Sequence, residues 1–283
     1  MAARTSPTER QKRLGSELRR MRTLAGVSAE AAAGLLGVDR GKISNIEAGT
    51  RPISVDRLRA LALNCGCTNE NYVSGLVEMA QPRGRGWWER YRGSLPPGLL
   101  DIAELEAYTL RMRAAYSMHI PGLLQTSDHA LALFRVVIPQ LPDREVALRL
   151  AHRVERQEVL EGDAPPPYTA IVHEAALRMQ FGGRSVARAQ LEHLLKRSQQ
   201  ASVTLLVIPF EAGAFPGAGQ TVLYAEGPVN QLDTVQIDNS HGPLFVHSDT
   251  QLEKYRAHLD WMEGIALSPG RSQDFIHNIA RQL

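Results

Sequence analysis

The chain has 283 residues, 43% of them apolar, with a formal net charge of +2 and only two cysteines. This composition is enough for a buried core in one large domain or two, and two cysteines exclude a disulfide framework. No stretch approaches the ~18 apolar residues of a membrane span and no apolar signal-peptide core opens the chain, so we expect a soluble cytoplasmic protein with no membrane partner.

The first eighty residues predict five short helices. The first helix is expected to begin at a capping box, Ser6-Pro7-Thr8-Glu9, with proline at its first position, and to bury a face that ends at Leu24. Glycines at 37 and 49 are typical helix stops. The other four helices are expected to start at Ser28, Asp39, Ser54 and Thr68.

The second and third helices are separated only by Gly37-Val38, which predicts the sharp corner of a helix-turn-helix. The first turn of a helix is its positive end, so acidic residues are favoured there, yet the third helix opens with Arg40, Gly41 and Lys42. Cations at that end indicate an external anion. A recognition helix that enters the major groove of DNA with its N-terminus first has this requirement.

The side chains of the third helix suit separate roles on double-stranded DNA. Arg40 matches guanine O6 and N7, and Asn45 matches adenine N6 and N7. Gly41 allows close approach, and the flexible Lys42 is better suited to phosphate. An ordinary solvated helix face is the alternative for these residues. Charge supports DNA, because residues 1–92 hold 16 Lys and Arg against 9 Asp and Glu.

Residues 14–78, with the core G-V-x-x-x-x-I-S-x-I-E-x-G, resemble the xenobiotic-response-element (Cro/CI-type) helix-turn-helix repressors. The resemblance implies that Arg22 and Glu47 form a structural ion pair between the first and third helices. That family often has Gln after the position of Ser28, to bind phosphate, but this chain has Ala29. A backbone N–H of the second helix, or Arg51 just after the third, is expected to replace that contact.

The predicted domains are residues 1–80, a linker over 81–98 and a C-terminal domain over 99–283. The linker combines Pro, Gly and Arg with Trp87, Trp88 and Tyr91, and we expect these aromatics to pack on the second domain. After it, helices are expected at about 99–116, 123–138, 143–161 and 185–199, strands at 168–173, 203–208, 221–225, 234–237 and 244–246, and two closing helices. The fold class is an all-α helix-turn-helix domain followed by a mixed α/β (α+β) domain.

Residues 85–283, with the segments P-G-L-L-Q-T and E-A-A-L-R, resemble the C-terminal domain of WhiJ-like, antitoxin-like actinobacterial regulators. The resemblance implies control by a small partner protein, BldB-like in the case of WhiJ. His173 departs from the acidic residue usual before Glu174. From the residues alone, Gln125 and Thr126 are expected either to line a pocket or to cap a helix. Glu174 and Arg178 stand at i,i+4, where they pair within a helix or serve a partner.

No arrangement of residues predicts catalysis or a cofactor. The chain lacks H-E-x-x-H, G-x-S-x-G and G-x-x-x-x-G-K-[ST]. Cys65 and Cys67 could bind a soft metal or form a redox pair, but two thiolates without further ligands make a poor zinc site, and small thiols commonly fill a core. We therefore expect neither an enzyme nor a metalloprotein.

The expected function is a sequence-specific DNA-binding transcription regulator. One helix-turn-helix contacts too few bases, so we expect a homodimer on a near-palindromic site with half-sites about 34 Å apart. The alternatives are an antitoxin-like protein that neutralises a partner and a repressor that senses a small molecule.

Overall fold

The structure, a computed structural model, describes residues 6–81 and 86–283. It divides into an N-terminal unit, formed by residues up to Trp87 together with Pro228–Leu232, and a second unit, formed by Trp88–Gly227 and Asp233–Leu283. Residues 82–85 of the predicted linker lie outside the described residues. Of the three linker aromatics predicted to pack on the second domain, Trp88 and Tyr91 are buried in the second unit, whereas Trp87 is half-buried and belongs to the N-terminal unit. There the Trp88 ring meets Tyr108 edge to face, and the Tyr91 hydroxyl donates to Glu155 over 2.8 Å.

Five helices form the N-terminal unit, as the sequence predicts. Their apolar faces meet in one core that includes Leu18, Ile43, Leu58 and Leu76. The helices are α1 (Glu9–Leu24), α2 (Ala29–Leu36), α3 (Arg40–Glu47), α4 (Val55–Asn64) and α5 (Glu70–Ala80).

Two helix starts and one core residue differ from the prediction. Helix α1 is capped by Thr8 rather than Ser6, because the Thr8 hydroxyl and the Gln11 amide exchange reciprocal bonds with backbone N–H groups at 3.3 and 3.0 Å. Helix α5 is capped by Asn69, one residue after the predicted Thr68. Leu24 closes α1 with 77% of its surface exposed, since it lies at the frayed end of the apolar face.

The second unit is built on a six-stranded mixed sheet in the order β3-β2-β1-β4-β5-β6. The neighbours β1, β2 and β3 run parallel, and the other neighbouring strands run antiparallel. The strands are β1 (Arg111–Tyr116), β2 (Tyr168–His173), β3 (Val203–Ile208), β4 (Val222–Glu226), β5 (Thr234–Ile237) and β6 (Leu244–Val246).

Helices cover both faces of this sheet and make a three-layered unit. One core contains side chains of α10 and α12, and the other contains side chains of α11. The helices are α6 (Pro97–Tyr108), α7 (Ser127–Arg135), α8 (Asp143–Arg156), α9 (Glu174–Arg178), α10 (Arg184–Arg197), α11 (Asp249–Ile265) and α12 (Pro269–Gln282). Among the described residues, no helix has the length and apolar character needed to cross a bilayer.

The predicted helix over 99–116 is wrong in its second half. It ends at Tyr108, and residues 111–116 form β1 at the centre of the sheet. The segment RMRAAY has helix-forming residues and no clear alternation, because Met112 to Ala115 are all buried. Its pairing with β2 on one side and β4 on the other overrides the local preference. The predicted helix over 123–138 likewise shortens to α7, after a 3-10 turn at Gly122–Leu124.

Candidate nucleic-acid interface

A three-residue connection sets the angle between α2 and α3. Gly37 ends α2 in the left-handed conformation, with φ 61° and ψ 43°, which glycine adopts without a steric penalty. The Val38 amide then donates to Ala33 over 2.9 Å, and the Asp39 carboxylate accepts from the Lys42 amide over 2.7 Å. Together these bonds end one helix and begin the next, so the predicted helix-turn-helix is present.

Helix α3 has a buried side and an exposed side. Ile43 and Ile46 point into the core of the N-terminal unit. The predicted base readers Arg40 and Asn45 are exposed together with Gly41, and Lys42 is half-buried. The structure therefore brings these four residues together on one short helix whose polar side faces outward.

The C-terminal end of α3 is fixed by an ion pair to α1. Arg22 donates through Nε to Glu47 Oε1 over 2.5 Å and through Nη2 to Oε2 over 3.0 Å. A third bond runs from Nη1 to the Val27 carbonyl over 2.7 Å. The hydrogen bond to Glu47 raises the pKa of Arg22 against the opposing effect of burial. This is the pair that the family resemblance implied, and both side chains are about nine-tenths buried.

Two glycines let α1 lie against the end of α3. A Cβ on Gly15 would come within 2.5 Å of the Glu47 carbonyl oxygen, and a Cβ on Gly49 within 2.7 Å of the Gln11 carbonyl oxygen. Gly49 also has a φ of +72°. The sequence analysis recognised Gly49 as a helix stop but missed Gly15. No local signal could have found Gly15, because its neighbour Glu47 is 32 positions away.

Arg40 has a partner that the sequence analysis also missed. Its Nη1 lies 2.8 Å from Glu30 Oε1, with 69% of the arginine side chain and 61% of the glutamate side chain exposed. Glu30 stands in the first turn of α2, where an acid favours the helix dipole. Its contact with Arg40 depends on the angle between α2 and α3. The predicted guanine reader is thus paired with a carboxylate.

The other residues predicted to contact DNA differ in the bonds that they form within the protein. The Thr50 hydroxyl donates to the Asn45 carbonyl over 3.0 Å and lies 3.3 Å from Asn45 Oδ1, so the amide NH₂ and an Oδ1 lone pair of Asn45 remain for a base. Arg51 is exposed, and its backbone amide donates to the Asn45 carbonyl over 3.2 Å. Within residues 6–81 and 86–283, neither Lys42 nor Arg51 has an ion-pair partner.

The start of α2 has backbone donors in place of a phosphate-binding side chain. The Ser28 hydroxyl accepts from the Ala31 amide over 3.0 Å, so this side chain is used as a cap. Ala29 packs partly against the core. A first helical turn leaves N–H groups without intrahelical acceptors, and in α2 these include the amides of Ala29 and Glu30.

In the second unit, Gln125 and Thr126 are bound internally. The Gln125 amide donates to the Ile120 carbonyl over 2.7 Å and accepts from Arg153 over 2.5 Å. Thr126 caps α7 through its hydroxyl, and its own amide donates to Gln190 over 2.7 Å. Of the two alternatives for this pair, the structure therefore has the cap at Thr126 and a buried bridging amide at Gln125.

Glu174 and Arg178 pair within α9. Arg178 Nε lies 2.7 Å from one carboxylate oxygen of Glu174, and the other oxygen accepts from the Phe210 amide over 2.8 Å. His173 caps the same helix by accepting from the Ala175 amide over 3.3 Å. In the part of the chain that the structure describes, no hydrogen bond or ion pair joins these residues to Gln125 or Thr126.

The described residues contain no group of three or more His, Cys, Asp or Glu side chains that could hold a metal ion. Two histidines of the second unit, His129 and His152, are buried. Burial lowers the pKa of His129 to about 4 and that of His152 to about 3, and nearby arginines add to both effects. The exposed side of α3 presents polar side chains to an outside molecule.

Two family models match the chain. One describes a helix-turn-helix domain and matches residues 13–71. The other describes a domain of unknown function, DUF5753, and matches residues 99–278. Comparison with curated proteins and with solved structures gives no match. The helix-turn-helix part of the resemblance is thus confirmed, and the relation to WhiJ-like proteins stays a prediction.

Proposed function

Because the chain belongs to the family defined by the domain DUF5753, and because a helix-turn-helix domain precedes that domain, we propose that it is a sequence-specific DNA-binding transcription regulator. In this proposal the protein is cytoplasmic, binds DNA and catalyses no reaction. The observation that carries the proposal is the exposed start of α3, where Arg40, Gly41 and Asn45 stand outward while Ile43 and Ile46 anchor the helix.

Each exposed residue has a distinct role in this proposal. Arg40 and Asn45 read base edges in the major groove, because a guanidinium matches guanine and an amide matches adenine with two hydrogen bonds each. Lys42 and Arg51 contact phosphates. The Ala29 and Glu30 amides at the start of α2 hold a further phosphate against the positive end of that helix.

Two finer features belong to the same proposal. The protein binds as a homodimer on a near-palindromic operator, with half-sites about 34 Å apart or a multiple of that distance, because one recognition helix contacts too few bases. The second unit receives control from a small, BldB-like partner protein, as the resemblance to WhiJ-like regulators suggests. Val136, Ile138 and Val154 are exposed apolar side chains of that unit, which supports a partner that contacts it through apolar groups.

The test is selection of bound fragments from a randomised DNA pool by the full chain at near-physiological salt. The salt dependence of affinity is then measured for the selected sequence and for an unrelated one. We expect a symmetric consensus whose half-site spacing reports the dimer. Binding that is sensitive to salt but indifferent to sequence would contradict the proposal of a sequence-specific regulator, since phosphate contacts alone give that behaviour.

A matched control tests whether the loss of sequence selection is specific to changes on α3. Arg188 in the second unit is 58% exposed and paired with Glu192, much as Arg40 is paired with Glu30. The Arg188→Ala chain should select the same consensus as the unaltered chain. The Arg40→Ala/Asn45→Ala chain should select none and should keep the salt-dependent binding.

A further inference from the structure

The N-terminal unit contains a groove of about 310 Å³ that is lined by three sulfur-bearing side chains among others. They are Met21 at the end of α1 and Cys65 and Cys67 just after α4. Cys65 and Cys67 are the only cysteines of the chain, and both are free thiols that are half-buried. Met21 is 7% exposed, so its thioether belongs to the wall of the groove.

The turn after α4 fixes both cysteines at the same place. Cys65 ends the helix, Gly66 follows with a φ of +65°, and the Cys67 amide donates back to the Ala62 carbonyl over 3.0 Å. Two cysteines separated by one residue make a strained disulfide. The segment is therefore better suited to hold two thiolates against a third atom than to join its own sulfurs.

We propose that this groove binds a monovalent copper ion through the Sγ atoms of Cys65 and Cys67, with the thioether of Met21 as a third ligand. Thiolate and thioether sulfurs are the soft ligands that select Cu(I). Zinc in proteins takes four ligands in structural sites. The described residues offer no cluster of three or more His, Cys, Asp or Glu, so a set of two thiolates and a thioether fits an ion of lower coordination number.

The charges at the groove fit this ion. Two thiols each lose one proton to solvent as two copper–sulfur bonds form, and copper remains Cu(I), so the bound centre carries a net charge of −1. A guanidinium group lies at the groove, because Arg20 is one of its lining residues. Opposite charges within a few ångströms in a partly buried groove attract more strongly than they do in water.

The apolar side of the groove is lined by Leu24 and Tyr72.

The experiment titrates Cu(I) into the full, reduced chain without oxygen, in competition with bicinchoninate. Near-ultraviolet absorbance follows the thiolate-to-copper transition. We expect one ion per chain. Since loss of a supporting outer-shell residue costs 10–100-fold in metal affinity, Cys65→Ser and Cys67→Ser should each cost at least about 100-fold, and Met21→Leu about tenfold. Met79→Leu, a methionine of the same unit that lies outside the groove, should leave affinity unchanged.

A second measurement does not depend on the folding of any variant. The unaltered chain is treated with N-ethylmaleimide with and without Cu(I), and the labelled cysteines are identified by mass spectrometry. Protection of both Cys65 and Cys67 supports the site. Full labelling of either cysteine in the presence of copper overturns it, as does copper binding that persists in Cys65→Ser/Cys67→Ser or a stoichiometry of one ion per two chains.

Discussion

A buried ion pair of the second unit and the exposed side of α3 in the N-terminal unit use their charged side chains in opposite ways. In the second unit, Arg156 forms two bonds to Glu106, at 2.8 and 2.5 Å, with 8% and 2% of the two side chains exposed. Asp233 likewise accepts from the Tyr224 hydroxyl over 2.7 Å and from the Gly227 amide over 2.9 Å. On α3 of the N-terminal unit, Arg40 and Asn45 instead face outward.

This difference separates charges that hold a fold from charges that are available to a partner. Removing one member of a buried ion pair strongly destabilises the folded state, whereas an exposed pair contributes about 0–1 kcal/mol to the free energy of unfolding. We therefore expect changes in the second unit to act on stability and changes on α3 to act on DNA binding. Four predictions test or sharpen that division, from the largest expected effect to the smallest.

Glu106→Gln should reduce the free energy of unfolding of the second unit by about 3–5 kcal/mol, because it leaves the buried guanidinium of Arg156 without a compensating charge. The measurement is urea denaturation of the full chain, with the transition of the second unit followed separately. The control is Glu192→Gln, in a pair more than half exposed, which should cost less than about 1 kcal/mol. Equal losses in the two variants would remove the distinction between buried and exposed pairs.

Arg40→Ala should weaken binding to the selected operator by about 1–3 kcal/mol and relax discrimination at one base pair, because a bidentate contact to guanine is lost. Lys42→Ala should weaken binding to all sequences alike and lower the salt slope by about one unit, since it removes a phosphate contact. Binding to sets of operator variants at several salt concentrations distinguishes the two residues. An unchanged base preference in Arg40→Ala, or a sequence-selective loss in Lys42→Ala, would reverse the assigned roles.

Acid should destabilise the second unit through His129. This side chain is 1% exposed, and burial, with the charges of His119 and Arg153, lowers its pKa to about 4 from an ordinary value of 6.5. Between those values the unfolded chain binds a proton that the folded chain does not. Stability is therefore complete above pH 6.5 and falls as the pH drops towards 4, by about 1.4 kcal/mol per pH unit at most.

The test compares urea denaturation at pH 7.5 and pH 5.5 in the unaltered chain and in His129→Phe, a ring of similar shape beside Phe181. The variant should lose about 1 kcal/mol less than the unaltered chain over this interval. His277→Gln, at an exposed position, should behave like the unaltered chain. If His129→Phe shows the same acid loss, other buried groups of the unit are responsible.

Local signals in the sequence predicted α3 well because the residues that define it are close together. The cap at Asp39, the left-handed Gly37 and the inward Ile43 and Ile46 all lie within ten positions, and each has a physical meaning on its own. The candidate interface could be predicted for the same reason, since residues on one short helix share their surroundings. The ends of helices were predicted less accurately, as the cap of α1 shows, which was expected at Ser6 and lies at Thr8.

Features that depend on distant parts of the chain could not be predicted. Strand β1 was assigned to a helix because its partners, β2 and β4, begin more than fifty and one hundred positions later. The need for glycine at Gly15 appears only when α1 lies on the carbonyl of Glu47. The ion pair between Glu30 and Arg40 depends on the angle between two helices. In each case tertiary contacts decided the outcome.

That ion pair gives the smallest expected effect and the sharpest test of the division between the units. Glu30 stands beside the backbone amides proposed to bind phosphate, and its carboxylate holds Arg40 at 2.8 Å in the free protein. Removing this charge frees the guanidinium and reduces repulsion of DNA. We therefore expect Glu30→Gln to tighten operator binding by about 0.2–1 kcal/mol, the range measured for exposed pairs, with little change in stability.

The alternative is that Glu30 orients the Arg40 guanidinium for guanine rather than competing with DNA for it. A double-mutant cycle with Arg40→Ala separates the two roles, because it isolates the coupling between the side chains. If Glu30 competes, Glu30→Gln strengthens binding most at sites with the preferred base, and most of that gain disappears in the Arg40→Ala background. If Glu30 orients, the same change weakens binding only at sites with the preferred base. In that case an exposed pair on α3 would hold a structure in place, as the buried pairs of the second unit do.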